Sequence, residues 1–422
     1  MKVKKLLRAA RARTRDGSRA MTAVSAVFFA CGFLLLGLKD WDVGAFMMAA
    51  LVPMALMLVN RLLARLIALD RLLMGMVNFL CALGILVLYR KDPALGLGQA
   101  ANYAVGLGGM ALCLLLMRWW GHLSRLTPLI ALGSLLLMAL PVFFGVEKNG
   151  AKAWLSVGGF GFQPSELVKV ALLLIMATLL SRRKTVLAGL FALMCLGMLM
   201  LQKDLGTALL YYATALVLLF VSTGSLTLLA GGVAGSGVGA YIGYAMFAHV
   251  KRRVAIWQDP WEDFRGAGYQ IVQSLVAMAN GGLWGTGLGL GDAHYVIPEA
   301  QTDFIFAIIL NEFGALFGLM VVALYILMFL RGIGIALAAR GKFHTLLALG
   351  CTCLIALQAF VIIGGNIKLI PLTGVTLPFV SYGGTSLVSS LCVMGLLQGV
   401  ANANAQGIRE DSEIAELEGV LA

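Results

Sequence analysis

The chain has 422 residues, 60% of them hydrophobic and 12% charged, with a mean hydropathy of +0.93. Soluble domains average about 45–50% apolar and about 25% charged, so an ordinary soluble globule is excluded, as are a disordered chain and a small disulfide scaffold. Lys and Arg number 32 against 20 Asp and Glu, a formal charge of +12. A basic balance can serve nucleic acid, but the apolar excess points to a membrane, and no nucleic-acid partner is expected.

A helix needs roughly 20 apolar residues to cross about 30 Å of hydrocarbon. Residues 1–21 carry eight Lys/Arg and read as a basic cytoplasmic N-terminus. No small-residue cleavage site follows the first apolar run, so a signal peptide is not expected. Apolar segments then follow near 22–38, 43–60, 73–90, 101–118, 126–144, 163–181, 186–201, 206–222, 225–247, 302–330, 343–365 and 382–401. They are continuously apolar and do not alternate with period 2, which favours helices over a β-barrel. The expectation is an all-α polytopic membrane protein of about twelve transmembrane helices. It forms one integral-membrane domain over 22–402, followed by an acidic cytoplasmic tail at 403–422.

With the N-terminus inside, twelve spans place 20 of the 32 Lys/Arg in cytoplasmic segments, and both termini lie in the cytoplasm. The outward loops are 145–162, 366–381 and the large polar segment 248–301. Within the last, IVQSLVAMANGGLWGTGLGLG is too short and too Gly-rich to span, and reads as interfacial or re-entrant. Its GTGLGLG run follows no strand and gives no dinucleotide-binding signal. The seven Cys all fall inside apolar segments and read as small core residues. The four His show no zinc-ligand spacing.

Scarce charges locate the chemistry. Asp303 stands where the large loop meets the tenth span. A carboxylate there can simply favour the helix N-terminus, or it can be a base on the floor of an outward cavity. Lys251, Arg252, Arg253 and Arg265 can contact anionic headgroups or bind a pyrophosphate. Glu166 and Lys169, one turn apart, read as a structural ion pair, with Ser165 or Gln163 capping that helix. Asp204 reads as the cap of the eighth span.

Five blocks then occur in order across about 149–387. NGAKAWLSVGGFGFQPSELVK resembles the NGARRWI…QPSELaK block of the SEDS (shape, elongation, division and sporulation) family, of the RodA/FtsW/SpoVE type. QKDLGTAL is similar to its QPDLGTAL, and RRVAIWQDPWEDFRGAGYQIVQS to its RV…GaGYQ..QS segment. PEAQTDFIFAIILNEFG resembles PEahTDFIFAiigEElG, and GNIKLIPLTGVTLPFVSYGGTSL resembles PvtGipLPfiSYGGSSL. Two N-terminal spans look additional to a ten-helix core, as in a twelve-span branch of the family.

The resemblance implies a bacterial peptidoglycan glycosyltransferase that polymerises lipid II on the outer face of the cytoplasmic membrane, for elongation, division or sporulation. The implied partner is a class B penicillin-binding protein, with membrane lipids around it. The family's essential carboxylate falls on Asp303, as general base. Arg253, with Arg252 and Lys152, would bind pyrophosphate, and Trp154 of the same block as Lys152 would contact substrate. Glu299, Gln301 and Thr302 would shape the site, and Ser381, Tyr382, Gly383 and Gly384 would line the cavity from the other side. The leaving pyrophosphate calls for cations or a divalent metal, Mg2+ or Mn2+. Asn311 replaces the first acid of EElG, and Tyr295 stands where many relatives are acidic, which weakens a carboxylate-built metal site. Lys152–Ala153 replace the usual Arg–Arg, so Lys152 lacks the bidentate fork. The rival readings are a lipid II flippase without chemistry and a non-catalytic scaffold that activates a partner synthase.

Overall fold

The computed structural model describes the backbone of residues 2–63, 69–148, 150–157 and 160–421. Every apolar segment is helical. They are α1 (Lys2–Asp40), α2 (Val43–Leu58), α3 (Arg71–Lys91), α4 (Pro93–Leu123), α5 (Thr127–Phe144), α6 (Pro164–Ser181), α7 (Thr185–Leu201), α8 (Leu205–Thr223) and α9 (Leu226–Met246). The large loop holds α10 (Ala248–Gln258), α11 (Tyr269–Gly281) and α12 (Ala293–Val296). The chain closes with α13 (Ile305–Leu337), α14 (Lys342–Asn366) and α15 (Gly384–Leu421). Thus α1 extends back through the basic N-terminus, and α15 runs on through the acidic tail.

Ten stretches of the described residues are long and apolar enough to cross a membrane. One of them, Pro93–Phe144, contains both α4 and α5 around a 3-10 turn at Ser124–Leu126, and α7, with 17 residues, falls short. The expected twelve crossings therefore stand against ten qualifying stretches.

Local chemistry sets the helix starts. Asp42, Asp70, Asp92 and Asp204 each precede an apolar run and accept from the backbone N–H of Gly44, Leu73, Ala94 and Thr207 at 2.8–3.1 Å. Gln163 caps nothing. Pro164 opens α6 at its first position, while the Gln163 amide reaches Asp204 Oδ2 at 2.8 Å and Ser165 Oγ is buried without a partner among the described residues.

Helix α3 is apolar on every side and is almost wholly enclosed, whereas α9 is almost wholly exposed. Buried polar side chains knit the enclosed helices together, as expected where lipid offers no hydrophobic drive between helices. Asn60 donates to Thr22 (3.2 Å), and Asn78 donates to Asn60 (2.7 Å) and accepts from Tyr103 (2.7 Å). Six of the seven Cys are buried or half-buried, but Cys31 is exposed on α1.

Two features depart from unbroken helix. The first is a three-stranded antiparallel sheet, β1 (Val146–Lys148), β2 (Ala151–Val157) and β3 (Phe160–Phe162), in the 145–162 loop. Val146 pairs with Trp154 and Leu155 with Phe162. Alternation in AKAWLSV buries Ala153 and Leu155 on one face.

The second is a break in α13 at Gly314 (φ +83°, ψ 172°). An unbroken helix would pair the Asn311 and Glu312 carbonyls with the Ala315 and Leu316 amides. Instead the Gly-rich loop takes all four. Thr286 and Gly287 donate to the two carbonyls at 2.9 and 3.0 Å, and Gly282 and Leu283 accept from the two amides at 2.9 and 3.3 Å. A Cβ at Gly314 would meet Gly285 N and Leu283 O. The GTGLGLG run is therefore a patch for a broken helix, which satisfies backbone groups that are costly to orphan at this depth.

Candidate active site

Asp303 lies two residues before α13, on a turn whose shape is set by Glu299 (φ +53°). The Glu299 carbonyl accepts from the amides of Thr302 (3.1 Å) and Asp303 (3.2 Å). The carbonyls of Gln301, Thr302 and Asp303 are all claimed by the far end of the chain. Tyr382 N donates to Gln301 O (2.9 Å), Ser381 Oγ to Thr302 O (2.7 Å), and Asn366 Nδ2 to Asp303 O (2.6 Å). The turn is thus clamped by the segment between α14 and α15, and the Asp303 side chain is half-buried.

Arg253, on α10, faces Asp303. Its Nη1 donates to Thr373 O at 2.9 Å. A Cβ built on Gly374 (φ +77°) would lie 3.6 Å from Arg253 Nη2 and 3.8 Å from Asp303 Oδ2. The cation and the carboxylate therefore flank one glycine without forming a direct ion pair, and the absence of a side chain keeps the space between them open.

The electrostatics follow from this placement. Burial pushes the Asp303 carboxyl up to about 6; the Thr302 side chain and Arg253 oppose the rise, and Glu299 adds to it. Burial also lowers the Arg253 affinity for its proton, against the charges of Asp303 and Asp204, but a guanidinium stays charged. Asp204 thus caps α8 and also lies within the field of Arg253.

The other expected site residues separate into groups. Gln301 accepts from Lys91 Nζ and donates weakly to Glu299 Oε2 at 3.4 Å. Ser381 is buried, and its hydroxyl donates to Thr302 O and accepts from Leu377 N (2.9 Å). Tyr382 and Gly383 are half-buried beside it, and Gly384 packs on Asn102 of α4. Lys152 and Trp154 sit on β2. The Lys152 ammonium is taken by Val142 O (3.1 Å), which directs it to the end of α5 and not to Asp303. Arg252 is exposed on α10.

Below the site, Glu166 Oε2 accepts from Lys169 Nζ (2.7 Å) and Ser389 Oγ (2.5 Å). Lys169 also donates to Gln358 Oε1 (3.2 Å), whose amide holds Thr376 O (2.9 Å). This buried pair fastens α6, α14 and α15 to the loop that carries Gly374.

Several residues escaped the sequence reading. Asn366 and Thr373 act through partners 63 and 120 positions away, which leave no local signal. Lys39, Arg90 and Lys91 had one, as cations in outward loops. Lys39 and Arg90 donate to Gly289 O, Arg90 at 2.6 Å, and tie the large loop to α1 and α3. Among the described residues no three His, Cys, Asp or Glu side chains converge. A hard divalent ion takes its ligands from several oxygens, and the described residues present no such cluster of carboxylates.

The chain is similar to known proteins over most of its length. Peptidoglycan glycosyltransferase RodA of Mycobacterium tuberculosis is 33% identical over 81% of this chain and 79% of its own. Stage V sporulation protein E of Bacillus subtilis is 34% identical over 81% of this chain and 96% of its own. A chain of a solved peptidoglycan synthase complex, one that coordinates polymerization and crosslinking, superposes with a TM-score of 0.67. It is 30% identical, over 80% of this chain and 99% of that one. The cell cycle protein family of FtsW, RodA and SpoVE matches residues 60–406, and the chain belongs to it.

Proposed function

We propose that this protein is a peptidoglycan glycosyltransferase that polymerises lipid II on the outer face of the bacterial cytoplasmic membrane. The single observation that carries this reading is the Asp303–Gly374–Arg253 arrangement. A carboxylate with a raised proton affinity faces a cation across a gap kept free of side chains. The acceptor sugar's 4-hydroxyl is a poor nucleophile. Asp303 takes its proton while the oxygen attacks the donor's anomeric carbon. The new glycosidic bond forms as the bond to the lipid pyrophosphate breaks, with inversion at that carbon, and Arg253 meets the charge that develops on the leaving group. One carboxylate suffices, in contrast to the paired acids of most glycosidases. Thr302 and Glu299 tune and position Asp303. Arg252 and Lys152 would add to anion binding, and Trp154 would contact the substrate.

A class B penicillin-binding protein is the proposed partner, by analogy with the polymerising and crosslinking complex. The charge bias supports cytoplasmic termini and a site on the outer face. The break at Gly314 also suits a lipid II carrier, since unwound helices line transporter sites. Here, however, the freed backbone groups are already paired with the 282–287 loop, which favours the enzyme.

Gel analysis of products from lipid II tests the proposal, with purified protein alone and with a candidate penicillin-binding protein. Glycan strands are expected from the wild type and none from Asp303→Ala. Polymer at wild-type rate from Asp303→Ala would overturn the assignment, and translocation in vesicles without polymer would favour the carrier.

A further inference from the structure

At the opposite ends of the helices from Asp303 lies a cavity of about 510 Å3. Helix α14 runs from Phe343 and His344 in its wall to Asn366 at the Asp303 turn, roughly 36 Å at 1.5 Å per residue.

Its lining is polar and cationic on one side and apolar on the other. Arg118 of α4 and Arg182, just past α6, stand at its rim, and no Asp or Glu lines it. Neither arginine has a carboxylate partner among the described residues. Arg182 Nη2 donates to Ser124 Oγ at 2.8 Å, which holds the guanidinium at the edge. Asn402 lines the cavity, is 7% exposed, and its Oδ1 is buried without a hydrogen-bond partner among the described residues. The apolar wall is rigid: Trp120 stacks on Phe343 (centroids 6.3 Å, 11°) and donates to Thr178 Oγ1 at 3.0 Å.

We infer that this cavity binds the headgroup of an anionic glycerophospholipid, from the leaflet opposite Asp303. Arg118 and Arg182 meet the phosphodiester, and Ser181, Asn402 and Gln406 supply the polar lining beside them. Two arginines without a carboxylate partner among the described residues favour a net negative ligand over a zwitterionic one. Basic pockets between membrane helices are suited to such headgroups. The Leu114, Met117 and Phe343 wall suits the glycerol and first acyl carbons rather than a free ion. The inference does not depend on the catalytic reading.

Native mass spectrometry of the full-length detergent-purified protein tests it, by titration with dioleoyl phosphatidylglycerol, dioleoyl phosphatidylcholine or inorganic phosphate. Phosphatidylglycerol should bind at least tenfold more tightly than phosphatidylcholine, and inorganic phosphate should not displace it at equal concentration. The double variant Arg118→Gln/Arg182→Gln should lose tenfold or more in phosphatidylglycerol affinity, while the exposed control Lys184→Ala keeps it. Because losing the Arg182–Ser124 bond could impair folding, Gln406→Glu serves as a second variant. It sets a carboxylate on an exposed lining position and should weaken the lipid in the same direction. Unchanged affinity in a folded Gln406→Glu protein, equal binding of phosphatidylcholine, or displacement by inorganic phosphate would each overturn the lipid-headgroup assignment.

Discussion

Asp303 combines a half-buried position, a cation in view and a carboxyl raised to about 6, the combination that marks a group held for chemistry. As a base it must be ionised, so polymerisation should rise with pH through about 6 and then level off, read as the initial rate of glycan formation. The sign for stability is the reverse. The folded carboxyl holds its proton from the ordinary 3.8 up to about 6, so the site loses stability as pH rises across that window. Asp303→Asn should therefore cut polymerisation by about 10²–10⁴-fold with an unchanged or higher melting temperature in detergent. Loss of activity together with a fall in melting temperature would point to a structural role. Gly374→Ala puts a methyl between base and cation and forces a side chain to φ +77°. Its expected signature is a lower kcat with protein still present in the membrane. Asp303 and Arg253 were both legible in the sequence, one by its motif and one by charge. Gly374 was not, because its importance lies in a space that only the fold defines.

Between elements, the buried Glu166–Lys169 pair joins three helices to the Gly374 loop. Removing one partner leaves an uncompensated buried charge, which typically costs about 3–5 kcal/mol. Lys169→Met should thus lower stability sharply, as measured by thermal unfolding in detergent. The double variant Glu166→Gln/Lys169→Met should recover much of it. The i,i+3 spacing announced this pair in the sequence, but its links to Gln358 and Ser389 join segments about 190 and 220 positions apart. The Gly314 break is a second case. Gly314→Ala would combine a strained φ with a clash against the 283–285 backbone, and low membrane yield is the expected outcome. An apolar run carries no mark of such a break, since its hydropathy stays continuous through FIFAIILNEFGALFGLM.

Across the whole molecule, charge sets the orientation and burial sets the layout. Helices α3 and α9 are both apolar enough to span, with mean hydropathies of 2.3 and 1.4, yet the first is surrounded by helices and the second is not. The topology is testable directly. In a background without native Cys, a cysteine introduced at Arg252 should react with a membrane-impermeant maleimide in intact cells. One introduced at Lys184 should react only after permeabilisation. The opposite pattern would invert the proposed orientation and move the Asp303 site to the cytoplasm.

Composition, helix-start chemistry and motifs determined the membrane class, the positions of the apolar helices and the carboxylate on which the proposed function centres. These are properties of short stretches, and hydropathy, caps and motifs are written in consecutive residues. The tertiary structure alone decided that the Asp303 turn is clamped by Asn366, Ser381 and Tyr382. It also decided that Lys152 turns away to Val142, that a glycine loop repairs a broken helix, and that two arginines and an orphaned Asn402 share a cavity at the far end. Each depends on groups brought together from distant parts of the chain, where the requirement to satisfy buried polar atoms selects the partner and local sequence does not.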